Sequence, residues 1–269
     1  MRIAMRRMPI GIFDSGVGGL TVMKEIMKQL PMESIIYLGD TARVPYGIRS
    51  PETVLRYSIE NANFLSSRGI KLLVIACNTS SAISLPVLRE RLNIPVVGVI
   101  EPGARAAVRV TKTGRIAVIG TETTIRSGAY ERAIKGIDET IDVKGIACPL
   151  FVPLVEEGWL NGEVVRLVAE RYLSSLKYDS FDTLVLGCTH YPMIKDVISD
   201  VVRANLIDSA IETAREVKEI LKEGDMFNDD GQPVMEFFVT DAPEKFREMG
   251  SRFFGHGITD VCKITLGGE

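Results

Sequence analysis

The chain has 269 residues, of which 46% are hydrophobic and 25% are charged, a composition typical of a globular protein with one large or two medium domains. Its formal net charge of −3 disfavours a nucleic-acid partner, because such proteins usually carry a basic stripe. No stretch reaches the ~20 apolar residues that a membrane-spanning helix needs. Four cysteines without a secretion signal predict free thiols and a cytoplasmic location, and the basic segment 1–7 is expected to be a loose, non-targeting tail.

The first hundred residues alternate between apolar runs and amphipathic segments, which is the pattern of parallel strands joined by helices. The predicted strands cover 8–13, 34–38, 71–76 and 95–100. The predicted helices cover 20–30, 51–68 and 80–92, and Pro86 is expected to kink or divide the last of them. The glycine-rich turn 14–19 either presents backbone N–H groups to an anion or only permits a tight connection.

The same pattern then starts again. Strands are predicted over 115–120, 143–147 and 182–187, helices over 125–135 and 162–176, and a loop or short helix over 149–158. Thr121 follows its strand in the position that Asp14 and Ser15 occupy after the first strand. The remaining predicted elements are helices over 192–203, 210–223 and 243–254 and strands over 205–208 and 235–240.

This repetition predicts an α/β fold with two similar parallel-sheet domains, related by pseudo-twofold symmetry, and an active site in the cleft between them. Because strand and helix elements remain after the second copy, the C-terminal segment is expected to return to the first sheet. We therefore predict a first domain from residues 1–100 and 210–269, and a second domain from residues 101–209.

Two cysteines occupy matching places in the two copies. Cys77 and Cys188 each end an apolar run and precede small polar residues. A cysteine at the carboxyl end of a parallel strand, next to a helix start, lies where backbone N–H groups and the helix dipole favour a thiolate. Cys148 and Cys262 lack this setting and are predicted to be packing residues. With no CxxC pair and only two histidines, no metal site is expected.

Three kinds of function are compatible with these thiols. His190 lies two residues after Cys188 and could serve as the base of a Cys-His hydrolase or lyase, but that chemistry uses only one thiol. Two thiols that face each other across a cleft fit racemisation, in which one removes a proton from a carbon and the other delivers a proton to the opposite face. A non-catalytic binding protein for small dicarboxylates is the third possibility.

Five short motifs, in order along nearly the whole chain, resemble those of the bacterial glutamate racemases in the aspartate/glutamate racemase family. They are FDSGVGGL at 13–20, GDTARVPYG at 39–47, ACNT at 76–79, GVIEPG at 98–103 and GCTHYP at 187–192. The resemblance implies a homodimeric racemase that interconverts L-glutamate and D-glutamate without pyridoxal phosphate or metal and supplies D-glutamate for peptidoglycan. A racemase of another acidic amino acid such as aspartate is the alternative, because the choice of glutamate rests on the motif match alone.

The resemblance also implies roles for individual residues. Cys77 would take the proton from D-glutamate and Cys188 the proton from L-glutamate, while Asp14, His190 and Glu156 would assist the two thiols. The implied substrate-binding residues are Asp14, Ser15, Pro45, Tyr46, Gly47, Asn78, Thr79, Thr189 and His190, and Thr121 is added from its place in the second copy. Closure of the two domains over the substrate is expected during turnover, because it would exclude water and orient both thiols.

Overall fold

The computed structural model describes residues 2–178, 181–229, 232–255 and 257–267. Within these ranges no helix combines the length and the apolar character needed to cross a membrane.

All ten strands of the described residues belong to two parallel sheets, as the predicted α/β fold requires. They are β1 (Ile10–Asp14), β2 (Ile35–Gly39), β3 (Leu72–Ile75), β4 (Val96–Gly98), β5 (Arg115–Gly120), β6 (Asp142–Ala147), β7 (Thr183–Gly187), β8 (Asn205–Asp208), β9 (Met235–Val239) and β10 (Val261–Lys263). The six-stranded sheet has the order β10-β9-β2-β1-β3-β4 and the four-stranded sheet the order β6-β5-β7-β8.

The two sheets repeat one arrangement. Strands β2-β1-β3-β4 and strands β6-β5-β7-β8 share the order second, first, third, fourth, which agrees with a duplicated unit. The late strands β9 and β10 extend the first sheet beside β2, as expected for a returning C-terminal segment. The domain boundaries at residues 100 and 210 stay a prediction.

Twelve α-helices occur in the described part of the chain. They are α1 (Arg2–Arg7), α2 (Leu20–Gln29), α3 (Pro51–Ser67), α4 (Asn78–Arg91), α5 (Ile100–Val110), α6 (Glu122–Arg126), α7 (Ala129–Lys135), α8 (Phe151–Glu156), α9 (Glu163–Leu173), α10 (Lys195–Val201), α11 (Ser209–Glu223) and α12 (Pro243–Phe254). Short 3-10 helices cover Tyr46–Ile48, Ser174–Tyr178 and Tyr191–Ile194.

Two predicted helices were wrong in detail. Pro86 neither divides α4 nor ends it, because one lost backbone hydrogen bond does not outweigh a helix face that buries Leu85 and Leu88. The predicted helix 125–135 is instead two helices, α6 and α7, which are separated at Gly128. This glycine has a φ of +64°, a left-handed conformation that interrupts the helix.

The N-terminal segment is not the loose tail that its composition predicted. It contains α1, and Arg6 pairs with Asp225 and Asp229 at 2.6 and 2.7 Å. The carbonyl of Arg6 also accepts a hydrogen bond from the Nζ of Lys71 at 2.6 Å, and Lys71 is itself buried against Glu33 at 2.5 Å. A buried ion pair at the amino end of β3 therefore ties α1 to the sheet.

The carboxyl ends of the strands of both sheets meet at one cleft. Helix α11 packs on both α2 and α5, and one hydrophobic cluster joins residues of the two sheets, among them Ile12 and Val74 of the first and Leu184 and Leu186 of the second. The loops that follow β1, β3, β5 and β7 are thereby brought together, which is where α/β proteins place their ligands.

Candidate active site

Cys77 lies at the end of β3 and is the N-cap residue of α4. Its side chain is buried, and its Sγ lies 3.7 Å from the Oγ of Ser15. Burial, together with the negative charge of Asp14, raises the pKa of Cys77 to about 11. This thiol is therefore neutral at pH 7, and the expectation that its setting favours a thiolate was wrong, because burial outweighs the helix start.

Asp14 is the last residue of β1 and is fully buried beside the Cys77 thiol. Its Oδ2 accepts a hydrogen bond from the backbone N–H of Gly16 at 2.9 Å, whereas its Oδ1 has no hydrogen-bond partner among the described residues. Burial raises the pKa of this carboxyl group. An unpartnered acceptor in the cleft can bind a ligand ammonium group or exchange a proton with the site.

Cys188 lies at the end of β7 and faces a second acid/base group. Its Sγ is 3.9 Å from the Nδ1 of His190, and the Nε2 of His190 is 3.2 Å from the Oε1 of Glu156. Burial acts to lower the pKa of His190, but hydrogen bonds to Cys188 and Glu156 outweigh it and raise the pKa to about 10. A cationic imidazole thus lies between a carboxylate and the Cys188 thiol.

The helical segment that follows Cys188 contributes little to the electrostatic environment of the thiol. The chain enters the four-residue 3-10 helix Tyr191–Ile194 and then the seven-residue α10, so the macrodipole at the thiol is small. The structure also shows which of two adjacent glutamates lies in the site. Glu156 contacts His190, whereas Glu157 is exposed.

Polar groups from both sheets converge between the two cysteines. Asn78 accepts a hydrogen bond at its Oδ1 from the hydroxyl of Tyr130 at 2.7 Å, and its buried Nδ2 has no partner within the described part of the chain. The hydroxyl of Thr79 lies 2.9 Å from that of Thr121 and 3.2 Å from that of Thr124. These groups offer donors to a carboxylate without a cationic side chain.

The two halves of the cleft touch at glycines. A Cβ on Gly18 would lie against the Oγ1 of Thr189 and 2.6 Å from the Nδ1 of His190. A Cβ on Gly47 would lie 2.6 Å from the Cβ of Thr121. The hydroxyl of Thr21 donates to the carbonyl of Thr189 at 3.2 Å. Asp14 and Cys77 of the first half therefore share one cleft with His190 and Cys188 of the second.

Comparison with known proteins agrees with this geometry. The family model described as Asp/Glu/Hydantoin racemase matches residues 10–217. A glutamate racemase of Geobacter metallireducens is 58% identical over 263 residues, which is 97% of each chain. The chain belongs to the Asp/Glu/Hydantoin racemase family.

Solved structures of this racemase family superpose closely. A glutamate racemase of Francisella tularensis in complex with D-glutamate has a TM-score of 0.93 at 39% identity, covering 97% of this chain and 98% of that chain. The glutamate racemase isoform RacE1 of Bacillus anthracis also has a TM-score of 0.93, at 43% identity, covering 96% and 98%. The predicted resemblance is confirmed, and the protein is an amino-acid racemase.

In the loop after β2, the side chains of Tyr46 and Arg43 are engaged within the protein. The hydroxyl of Tyr46 donates to Asp40 and accepts from the Nδ2 of Asn61 at 3.1 Å, and its ring is buried, so the side chain is fully engaged. Arg43 pairs with Asp40 and Glu60 and is likewise committed. Of the predicted binding segment Pro45, Tyr46 and Gly47, the Tyr46 hydroxyl is therefore already used within the protein.

Several residues that shape the site carried no sequence signal. Tyr130 and Thr124 contact Asn78 and Thr79 from the second sheet, and Phe253 lies against His190 from the C-terminal helix. Each acts across a long sequence separation, so no local pattern marks it. Thr121 was found through the repeat, and its Oγ1 accepts from the backbone N–H of Thr124 at 3.3 Å as the N-cap of α6.

The two remaining cysteines differ from each other. Cys148 is buried, as predicted for a packing residue, and burial raises its pKa. Cys262 is exposed on β10, so the prediction that it packs was wrong; β10 is an edge strand with little covering it. Across residues 2–267, apart from the undescribed positions, no group of three or more potential metal ligands occurs.

Proposed function

We propose that the protein is a cofactor-independent glutamate racemase that interconverts L-glutamate and D-glutamate through two thiols. The observation that carries this proposal is that each thiol has its own acid/base partner. Asp14 lies beside Cys77 at the end of β1, and the His190–Glu156 pair lies beside Cys188 at the end of β7. A hydrolase needs one such arrangement, whereas inversion at a carbon needs two.

In the direction from L- to D-glutamate, the Cys188 thiolate removes the proton from Cα. The electron pair of the broken C–H bond delocalises into the adjacent carboxylate, and neutral Cys77 then donates its proton to the opposite face of Cα. The product is the mirror image of the substrate, with Cys77 now a thiolate and Cys188 a thiol. The reverse direction uses the same two groups with their roles exchanged.

The protonation states of the free site support this cycle. The high pKa of Cys77 keeps a proton on the thiol that must donate, and the cationic His190 lies 3.9 Å from the sulfur of Cys188. After one turnover in that direction, Asp14 and the His190–Glu156 pair assist in returning protons to the starting arrangement.

Substrate recognition uses polar groups of the cleft, of which the Oδ1 of Asp14 and the Nδ2 of Asn78 have no partner among the described residues. We assign the substrate carboxylates to the Nδ2 of Asn78, the hydroxyls of Ser15, Thr79, Thr121 and Thr189, and the main chain of 45–47. The ammonium group is assigned to the Oδ1 of Asp14. Glutamate is favoured over aspartate because the highly identical relative from Geobacter metallireducens is a glutamate racemase and the Francisella tularensis structure holds D-glutamate.

Further parts of the proposal follow from the family. The protein works in the cytoplasm as a homodimer, supplies D-glutamate for peptidoglycan, and needs neither pyridoxal phosphate nor metal. Its two domains, 1–100 with 210–269 and 101–209, are related by a pseudo-twofold axis and close over the substrate. The hydroxyl contacts between Thr79 and Thr121 cross this interface and support a closed form that excludes water.

A deuterium-exchange assay tests the proposal. Purified protein is incubated with L-glutamate and, separately, with D-glutamate in deuterated water without added cofactor. Both samples should reach a racemic mixture on chiral chromatography, and the product should carry deuterium at Cα by NMR. Cys77→Ser and Cys188→Ser should each abolish full turnover, whereas Cys262→Ser, an exposed cysteine outside the cleft, should not. Absence of deuterium at Cα would overturn the two-thiol mechanism.

A further inference from the structure

Helix α12 covers the Cys188 side of the cleft although it joins two strands of the other sheet. It lies between β9 and β10 in the chain. Near its end, the buried ring of Phe253 packs on His190, with ring centroids 5.5 Å apart and planes at 85°. The C-terminal segment therefore does more than extend the first sheet.

The same helix also contacts the partner of His190. The guanidinium of Arg252 donates to the carbonyl of Glu156 at 3.5 Å, and Lys245 lines a cavity of about 100 Å³ together with Glu156. Burial acts to raise the pKa of the Glu156 carboxyl group. The hydrogen bond and charge of His190, with a further contribution from the positive charge of Lys245, outweigh burial and lower this pKa. Helix α12 thus borders both members of the His190–Glu156 pair.

The imidazole of His190 must hold one particular plane to work. Its Nδ1 must face Cys188 while its Nε2 faces Glu156, and both contacts, at 3.9 and 3.2 Å, depend on the angle at which the ring is held. A perpendicular aromatic ring restricts that angle and adds a favourable edge-to-face contact. The helix that carries Phe253 is held against the core, because the ring of Phe246 on the same helix packs on Tyr37 with ring centroids 5.9 Å apart.

We propose that Phe253 is a positioning residue that holds the His190 ring in line between Cys188 and Glu156. This inference rests on the proposed function. It predicts a larger effect on the Cys188 transfer than on the Cys77 transfer, because the ring of Phe253 packs on His190, whose Nδ1 faces Cys188. The charged and titratable groups that face His190 are Cys188, Glu156 and Asp14.

Isotope effects can separate the two transfers. The ratio of kcat/KM in the two directions cannot change, since the two enantiomers are equally stable. The rate-limiting step can change, however. With glutamate deuterated at Cα, the L-isomer gives its deuteron to Cys188 and the D-isomer gives its deuteron to Cys77. Slowing the Cys188 step raises the isotope effect on kcat/KM for the L-isomer and lowers it for the D-isomer.

The experiment compares Phe253→Leu with Phe254→Leu, a matched control whose buried ring packs on Phe237 at 6.1 Å. Phe253→Leu should lower kcat/KM ~10-fold in both directions and shift the two isotope effects in opposite senses. Phe253→Tyr, which keeps the ring, should restore the wild-type isotope effects. Phe254→Leu should leave both isotope effects unchanged.

Equal isotope effects in Phe253→Leu and wild type, or the same opposite shift in Phe254→Leu, would overturn the positioning role. Thermal unfolding of each variant shows whether it is folded, and Phe253→Met serves as a milder change if Phe253→Leu is not. Failure of the proposed function itself would look different, because the wild-type protein would then exchange no Cα hydrogen at all.

Discussion

The hydroxyl of Tyr130, on α7 of the four-stranded half, donates a 2.7 Å hydrogen bond to the Oδ1 of Asn78, which begins α4 in the other half. This bond fixes the orientation of the Asn78 amide and directs its unpaired Nδ2 into the cleft. A proposed substrate-binding group on α4 is thus oriented by a residue on α7 of the other half.

We expect Tyr130→Phe to raise the KM for glutamate about tenfold with a smaller effect on kcat, because the freed amide can rotate and one buried hydrogen bond is lost. Tyr172→Phe is the control, since its hydroxyl accepts only from the backbone N–H of Leu150 near the surface. Steady-state kinetics in both directions check this expectation. An unchanged KM in Tyr130→Phe would show that the amide is held by other contacts.

Removing the charge of Glu156 should lower the pKa of His190. Glu156 contributes both a hydrogen bond and a negative charge that raise this pKa to about 10, so Glu156→Gln should move it downward. The loss of activity on the alkaline side should then begin at lower pH. Histidine NMR measures the shift directly, because the chain has only two histidines and a His256→Gln variant assigns the signals. Glu157→Gln, the exposed neighbour, should leave the titration unchanged.

Alkylation of Cys77 should be slow at neutral pH and accelerate as the pH rises toward about 11, since the thiolate is the reactive form. Asp14→Asn should move this acceleration to lower pH, because the Asp14 charge raises the Cys77 pKa. Peptide mapping by mass spectrometry after a pulse of iodoacetamide gives the rate at each cysteine. Exposed Cys262 is the internal control and should react first at pH 8. Rapid alkylation of Cys77 at pH 7 would contradict a neutral thiol.

Gly18→Ala should reduce activity ~100-fold, because the added methyl group would lie 2.6 Å from the Nδ1 of His190 and displace the ring from Cys188. Gly257→Ala is the control, as a Cβ there meets nothing within 4 Å of the described structure. Activity and thermal unfolding are measured for both variants. Full activity of Gly18→Ala would show that the close approach of Gly18 to His190 does not control the position of the ring.

The sequence was most informative about residues whose chemical type and position at the end of a predicted strand both indicated a role in the site. Cys77 and Cys188 could be predicted as a pair because each ends an apolar strand, and parallel strands bring their carboxyl ends to one edge of a sheet. The return of the C-terminal segment to the first sheet could also be predicted, because strand and helix elements remain after the second copy, and β9 pairs with β2. Glu156 was predicted from motif register, and the structure places its Oε1 3.2 Å from the Nε2 of His190.

Other features depend on burial and on contacts that no local pattern encodes. The neutral state of the Cys77 thiol follows from how deeply the fold buries it, which the helix start alone did not indicate. Tyr130 lies 52 positions from Asn78 in the sequence, and the ring of Phe253 reaches His190 from helix α12. The sequence likewise does not show that the hydroxyl of Tyr46 is hydrogen-bonded, because the fold brings its partners Asp40 and Asn61 to it.

The place of α12 in the chain has a consequence for biosynthesis. Synthesis runs from the N-terminus, and segments fold as they emerge, so the four-stranded sheet can be complete while β9 is still missing beside β2. Helix α12 follows later still, and with it the ring that lies against His190. A nascent chain therefore carries both thiols, Asp14, Glu156 and His190 before the ring of Phe253 can pack on the His190 imidazole.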